Sequence, residues 1–103
     1  MAVIKVDFKE AHELLTNNKK ILLFDVREEE EYITGHARDA QLFTLADIDR
    51  ESAREMIPSK DTPVMVYCRS GVRSREAAQR LSAFGYKTVY DIGGLAGWPY
   101  GLD

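Results

Sequence analysis

The chain has 103 residues, 45% hydrophobic and 30% charged, the composition of an ordinary soluble globular protein, and by size one domain spanning residues 1–103 with a core that needs no staples. Its formal net charge of −3 counts against a general binder of nucleic acid or anionic membranes, because such partners select a basic surface. No apolar run approaches the roughly 18 residues needed to span a bilayer. The opening stretch MAVIKVDFKEAHELL also lacks the basic-then-apolar layout of a secretory signal, so the cytoplasm is the expected compartment. There is one cysteine, Cys68, which excludes an intrachain disulfide, a CxxC redox pair and a cysteine-based zinc site. The two histidines, His12 and His36, lack metal-ligand spacing. Neither a metal nor a cofactor is expected.

Residues 3–6 form a short β-prone run, and Asp7 with Glu10 makes an acidic capping box that opens a helix with Phe8, Ala11, Leu14 and Leu15 on its apolar stripe. Asn17 and Asn18 end it. Residues 21–24, ILLF, read as a strand covered on both faces, ending in Asp25-Val26-Arg27. A polar end to such a strand is where open α/β sheets place their sites. Residues 28–33 predict a short acidic helix stopped by Gly35, residues 40–43 a brief strand, and Thr44 with Asp47 the start of a helical stretch running to Pro58. After the turn SKDTP, residues 64–67 predict a buried strand. A helix is expected from Ser74 to Gly85, a last strand over 86–92, and a glycine-rich close, GGLAGWPYGLD. Strands alternating with helices indicate a three-layer α/β/α domain with a mostly parallel sheet; strand order is not readable from the chain.

The centre of this pattern is PVMVYCRSGVRSREAAQRL, where Cys68 ends a strand and residues 69–73 lead into a helix. Unpaired N–H groups at a helix start favour anions and lower the pKa of a nearby thiol. A lone cysteine after a strand is commonly inert packing. One followed by a glycine-containing, arginine-flanked loop at a helix start reads as a nucleophile.

Three segments in order, DVREEEEYITGH, VMVYCRSGVRS and GYKTVYDIGGLAGW, resemble the rhodanese (thiosulfate sulfurtransferase) homology domain in its single-domain form. The resemblance implies a five-stranded parallel sheet with helices on both faces. It also implies that Cys68 accepts a sulfane sulfur as a persulfide and passes it to a thiophilic acceptor. The chain departs from the family at GHARDAQLFTL, where members commonly read GHIxGAxNIP. Asp39 replaces the second glycine, and the asparagine and proline are missing. That departure bears on the local backbone and on any partner surface more than on the transfer chemistry.

Sulfur transfer needs a thiolate and a pocket holding an anionic donor. Backbone N–H groups of Arg69, Ser70, Gly71, Val72 and Arg73 can curve around the Cys68 sulfur as a nest, with Gly71 allowing the tight turn. The forks of Arg69 and Arg73 suit an anion such as thiosulfate, although surface arginines are commonly solvated. Asp25, Arg27, His36 and Ser74 are expected as supporting residues: Asp25 and Arg27 tie the strand end to neighbouring loops, and His36 is held by hydrogen bonds. Glu31 can pair with one of these neighbours, and the 28–31 acidic run otherwise reads as a solvated helix face. Trp98 and Tyr100 are expected to pack the C-terminus onto the core, with the pocket rim as the other place for Trp98. The same fold carries phosphatases and arsenate reductases with a Cys-x5-Arg loop. Here the sixth position after Cys68 is Ser74 and Arg73 comes one early, which favours a single sulfur over a phosphate. Two further functions fit the same residues, a non-catalytic docking module and a persulfide carrier. With no second cysteine, a persulfide must be discharged by an outside acceptor: cyanide in an assay, a small thiol or a thioredoxin-like protein in a cell.

Overall fold

The computed structural model describes residues 3–103. Five strands form one sheet in the order β1-β5-β4-β2-β3, every neighbouring pair parallel. They are β1 (Val3–Lys5), β2 (Leu22–Asp25), β3 (Gln41–Leu42), β4 (Val64–Cys68) and β5 (Val89–Gly94). The helices are α1 (Phe8–Asn17), α2 (Glu29–Thr34), α3 (Arg50–Met56) and α4 (Val72–Ala83). The expected three-layer architecture is present, because the central strands carry apolar side chains on both faces. Alternation along β4 sends Val64, Val66 and Cys68 into a cluster with Ala77, Ala78 and Leu81 of α4 and Ala53 of α3. Met65 and Tyr67 enter a second cluster with Ala11 of α1, Ala37 and Leu95.

Local chemistry explains the element ends. The Asp7 carboxylate accepts from the Glu10 N–H at 2.8 Å and Glu10 accepts from the Asp7 N–H at 3.0 Å, the reciprocal cap read from the sequence. Gly85, at φ 103°, follows the last turn of α4. The helical stretch predicted from Thr44 to Pro58 is instead two pieces. A 3₁₀ turn over Leu45–Asp47 gives way to α3, which Asp49 caps afresh by accepting from the Ser52 N–H at 2.8 Å. Arg80 of α4 holds that turn by donating to the carbonyls of Leu45 and Ile48 at 3.0 and 3.4 Å. The last strand starts at Val89 rather than Tyr86 and runs on to Gly94. Tyr86 belongs to the connection, where its buried hydroxyl donates to the Ile57 carbonyl at 2.7 Å.

At the departure segment, Asp39 sits at φ 67°. It occupies the left-handed conformation that glycine adopts freely and that aspartate tolerates better than most residues.

Candidate active site

Cys68 is the last residue of β4 and is fully buried. The connection to α4 is shorter than expected. Only residues 69–71 lie between strand and helix, so Val72 and Arg73 belong to the first turn of α4 rather than to the loop. Gly71 makes the reversal at φ 104°, and its N–H donates to the Cys68 sulfur at 2.9 Å. Burial pushes the thiol pKa up. Hydrogen bonds from the backbone and hydroxyl of Ser74 and from the backbone of Gly71 and Ser70 outweigh that cost and leave the pKa below its ordinary value. The Ser74 hydroxyl also lies 3.2 Å from the Gly71 carbonyl. Ser74, expected as a supporting residue, thus acts on the thiol pKa and braces the loop at the Gly71 carbonyl.

The loop fits because the neighbouring strand yields space. The β4–β5 register slips between Val66 and Tyr67, setting Gly93 opposite Tyr67 and Gly94 opposite Cys68. A Cβ on Gly94 would stand 2.6 Å from the Arg69 carbonyl oxygen, so no side chain fits there. The bulge and the glycine pair bring the loop backbone flat against β5. The Leu95 N–H then donates to the Cys68 carbonyl at 2.9 Å.

Beneath the site lies a buried polar network. Asp25, fully buried at the end of β2, accepts from the Arg27 Nε at 2.9 Å and the Arg27 Nη2 at 2.6 Å, and from the Tyr67 hydroxyl at 2.6 Å. Arg27 also donates to the Gly35 carbonyl at 2.6 Å, and the Tyr67 hydroxyl accepts from the Ala37 N–H at 3.0 Å. Burial first, and then the bond to Asp25, raise the Tyr67 pKa, so the phenol stays protonated and donates. The network ties two strand ends to the 35–37 turn, the tying role expected of Asp25 and Arg27. His36 is held as a hydrogen-bonded residue: its Nδ1 lies 3.0 Å from the Tyr32 carbonyl and its ring stacks on Tyr32 at 3.8 Å. Its backbone exchanges bonds with Asp103, which fastens the C-terminal residues beside the site.

The two arginines of the Cys68 segment differ. The Arg73 guanidinium grips Glu31 of α2 in a bidentate pair, Nη1 to Oε1 at 2.6 Å and Nη2 to Oε2 at 3.0 Å. That bond outweighs burial, which acts the other way, and with the Glu28 backbone and the charges of Arg73 and Arg27 holds the Glu31 pKa down at about 2. The expected partners of Glu31 are Arg27 and His36, whereas its true partner lies 42 residues away in the chain. Arg69 makes no hydrogen bond or ion pair among the described residues. It is exposed and lines an open cleft of about 470 Å³ together with Arg27, Glu31, Leu95, Trp98 and Leu102. Trp98 takes both of its expected places, since it also packs edge-on against Phe8 with ring centroids 5.3 Å apart. A second cleft, of about 610 Å³, flanks the loop at Ser70, Gly71 and Val72 and reaches Arg75 and Lys5. Sequence reading misses Gly94 and the Glu31–Arg73 pair. The GG doublet is the one available signal for the first, and the second has none.

Among the described residues, no helix is long and apolar enough to cross a membrane.

Comparison with known proteins places these features. The Rhodanese-like domain family model matches residues 7–99. The chain is 34% identical over 95 residues to the thiosulfate sulfurtransferase GlpE of Coxiella burnetii, an alignment covering 91% of this chain and 85% of the relative. A solved structure described as rhodanese with anions from E. coli superposes with a TM-score of 0.74 at 31% identity, covering 81% of this chain and 96% of that one. The Alr3790 protein from Anabaena shares the fold with a TM-score of 0.85 at 21% identity, over 95% of this chain and 79% of that one. The chain belongs to the rhodanese-like domain family.

Proposed function

We propose that the protein is a sulfurtransferase that carries a sulfane sulfur as a persulfide on Cys68, taking it from a small anionic donor such as thiosulfate and handing it to a thiophilic acceptor. The observation that carries this reading is the Gly71 N–H donating to the buried Cys68 sulfur at 2.9 Å, at a helix start where Ser70 and Ser74 also favour the thiolate. N–H donors at a helix start stabilise a thiolate and, one bond further out, the terminal sulfur of a persulfide anion. The 34% identical relative that is named a thiosulfate sulfurtransferase supports the same class of chemistry.

In the first half-reaction the Cys68 thiolate attacks the outer sulfur of thiosulfate. The new S–S bond forms as the old one breaks, and sulfite leaves with the electron pair. The acceptor, cyanide or a thiolate, then attacks the terminal sulfur and restores the Cys68 thiolate. No general base is needed in this step because the nucleophile is the thiolate, which the lowered pKa favours. Arg69, the unpaired cation of the cleft, draws the donor in.

Intact-mass spectrometry after thiosulfate treatment tests this. One added sulfur on the wild type and none on Cys68→Ser is the expected result, with cyanide removing it as thiocyanate. A folded wild type that stays unmodified, or that instead hydrolyses a small aryl phosphate, overturns the reading.

A further inference from the structure

The charges around the donor cleft narrow the choice of donor. Arg27, Glu31 and Arg69 line the cleft, with Asp25 buried behind Arg27 and Arg73 paired to Glu31. Arg27 and Asp25 cancel as a pair, and so do Arg73 and Glu31. Of the charged side chains lining this cleft, Arg69 alone has no partner among the described residues, while Lys5 and Arg75 border the other cleft, across the loop. The Glu31 carboxylate both lines the cleft and saturates the fork of Arg73, the cation close enough to Cys68 to feel its charge. A donor carrying two negative charges therefore meets one unpaired cation beside a carboxylate in this cleft, and the Arg73 fork that would grip its oxygens is taken.

We propose that Glu31 sets the donor class of this site, favouring singly charged sulfane donors such as thiosulfonates and organic persulfides over dianionic thiosulfate by neutralising Arg73. This inference rests on the sulfurtransferase reading above. The chemistry balances for each donor. Attack of the Cys68 thiolate on a thiosulfonate forms the Cys68 persulfide anion and expels a sulfinate with the electron pair. Attack on an organic persulfide anion expels its thiolate. The Coulomb term scales with donor charge, so a dianion responds to the loss of Glu31's charge about twice as strongly, on a logarithmic scale, as a monoanion does.

The test compares Glu31→Gln with the wild type, using thiosulfate and methanethiosulfonate as donors and cyanide as acceptor. Glutamine keeps an oxygen for Arg73 and for the Glu28 N–H that Glu31 caps at 3.1 Å. The expected change is a KM for thiosulfate lower by about tenfold and for methanethiosulfonate by about threefold. Comparing variant with wild type for each donor removes their intrinsic difference in reactivity. Equal shifts for both donors, or none, overturn the proposal while leaving sulfur transfer intact. A measurement on the wild type stands independently of whether the variant folds: inhibition by methanesulfonate should be at least as strong as inhibition by sulfate. Sulfate binding tenfold tighter overturns the proposal. If neither donor places sulfur on Cys68, the sulfurtransferase reading itself falls, and this inference with it.

Discussion

At the residue scale the decisive balance is on Cys68, where burial opposes ionisation and the polar groups of Ser74, Gly71 and Ser70 favour it. Ser74 acts through both its backbone and its hydroxyl, so Ser74→Ala removes the hydroxyl's contribution and keeps the backbone's. The thiolate absorbance of the variant should titrate at higher pH than that of the wild type, and sulfur loading at neutral pH should slow several-fold. Linkage fixes the sign of the stability effect. The folded thiol has the lower pKa, so the unfolded chain binds more protons between the two values and stability rises with pH there. The contribution is complete above the unfolded thiol pKa of about 8.5 and is lost as pH falls through the folded value. Ser74→Ala narrows that window, and denaturant titrations from pH 6 to pH 9 should show a shallower rise. Identical pH slopes would remove Ser74 from the thiol's environment.

At the element scale the site depends on three neighbours: a short loop, the bulge in β5 and the cap of α4. Gly94 is where they meet, since a Cβ there would stand 2.6 Å from the Arg69 carbonyl and 3.0 Å from the Ser70 Cα, both backbone atoms that cannot swing aside. Gly94→Ala must push the loop off β5 and pull the N–H donors away from the sulfur. A displacement on the order of 1 Å costs about a hundredfold in rate, so kcat/KM for sulfur transfer should fall by roughly that factor. Loop-wide amide chemical-shift changes should accompany the loss. An active Gly94→Ala enzyme would show that the loop tolerates displacement. Much at this scale is legible in the chain: the capping box of Asp7 and Glu10, the double-faced run into Asp25, and the thiol at a strand end. What is not legible depends on distant partners. Tyr86 alternates like a strand residue but is drawn into the connection by the Ile57 carbonyl. Asp49 restarts a helix that apolar spacing alone makes continuous. The first turn of α4 reaches back to Val72 because Gly71 takes a left-handed conformation, and the chain does not reveal that a glycine there is a cap rather than a mid-loop residue. Glu31 finds Arg73 because β2 and β4 are adjacent, a fact of strand order that no local pattern encodes.

At the scale of the whole molecule, the sheet separates two apolar clusters that share the central strands, and Cys68 belongs to the cluster under α4. Leu81 is fully buried on that side, while Trp98, the sole tryptophan, packs on the other. Leu81→Ala deletes buried volume and should destabilise the fold by about 2–5 kcal/mol. The informative measurement is where Trp98 reports that loss. Residues of β4 alternate between the clusters, Val66 and Cys68 into one and Met65 and Tyr67 into the other, so neither layer can melt without releasing the strand that orders its counterpart. Trp98 fluorescence and far-UV circular dichroism should therefore shift to the same lower denaturant midpoint in Leu81→Ala, with the unfolding slope unchanged. A Trp98 transition that stays at the wild-type midpoint would mean that the α1 side holds together independently. The network of Asp25, Arg27 and Tyr67 argues for the coupled outcome, because it joins the ends of both central strands directly beneath the sulfur site.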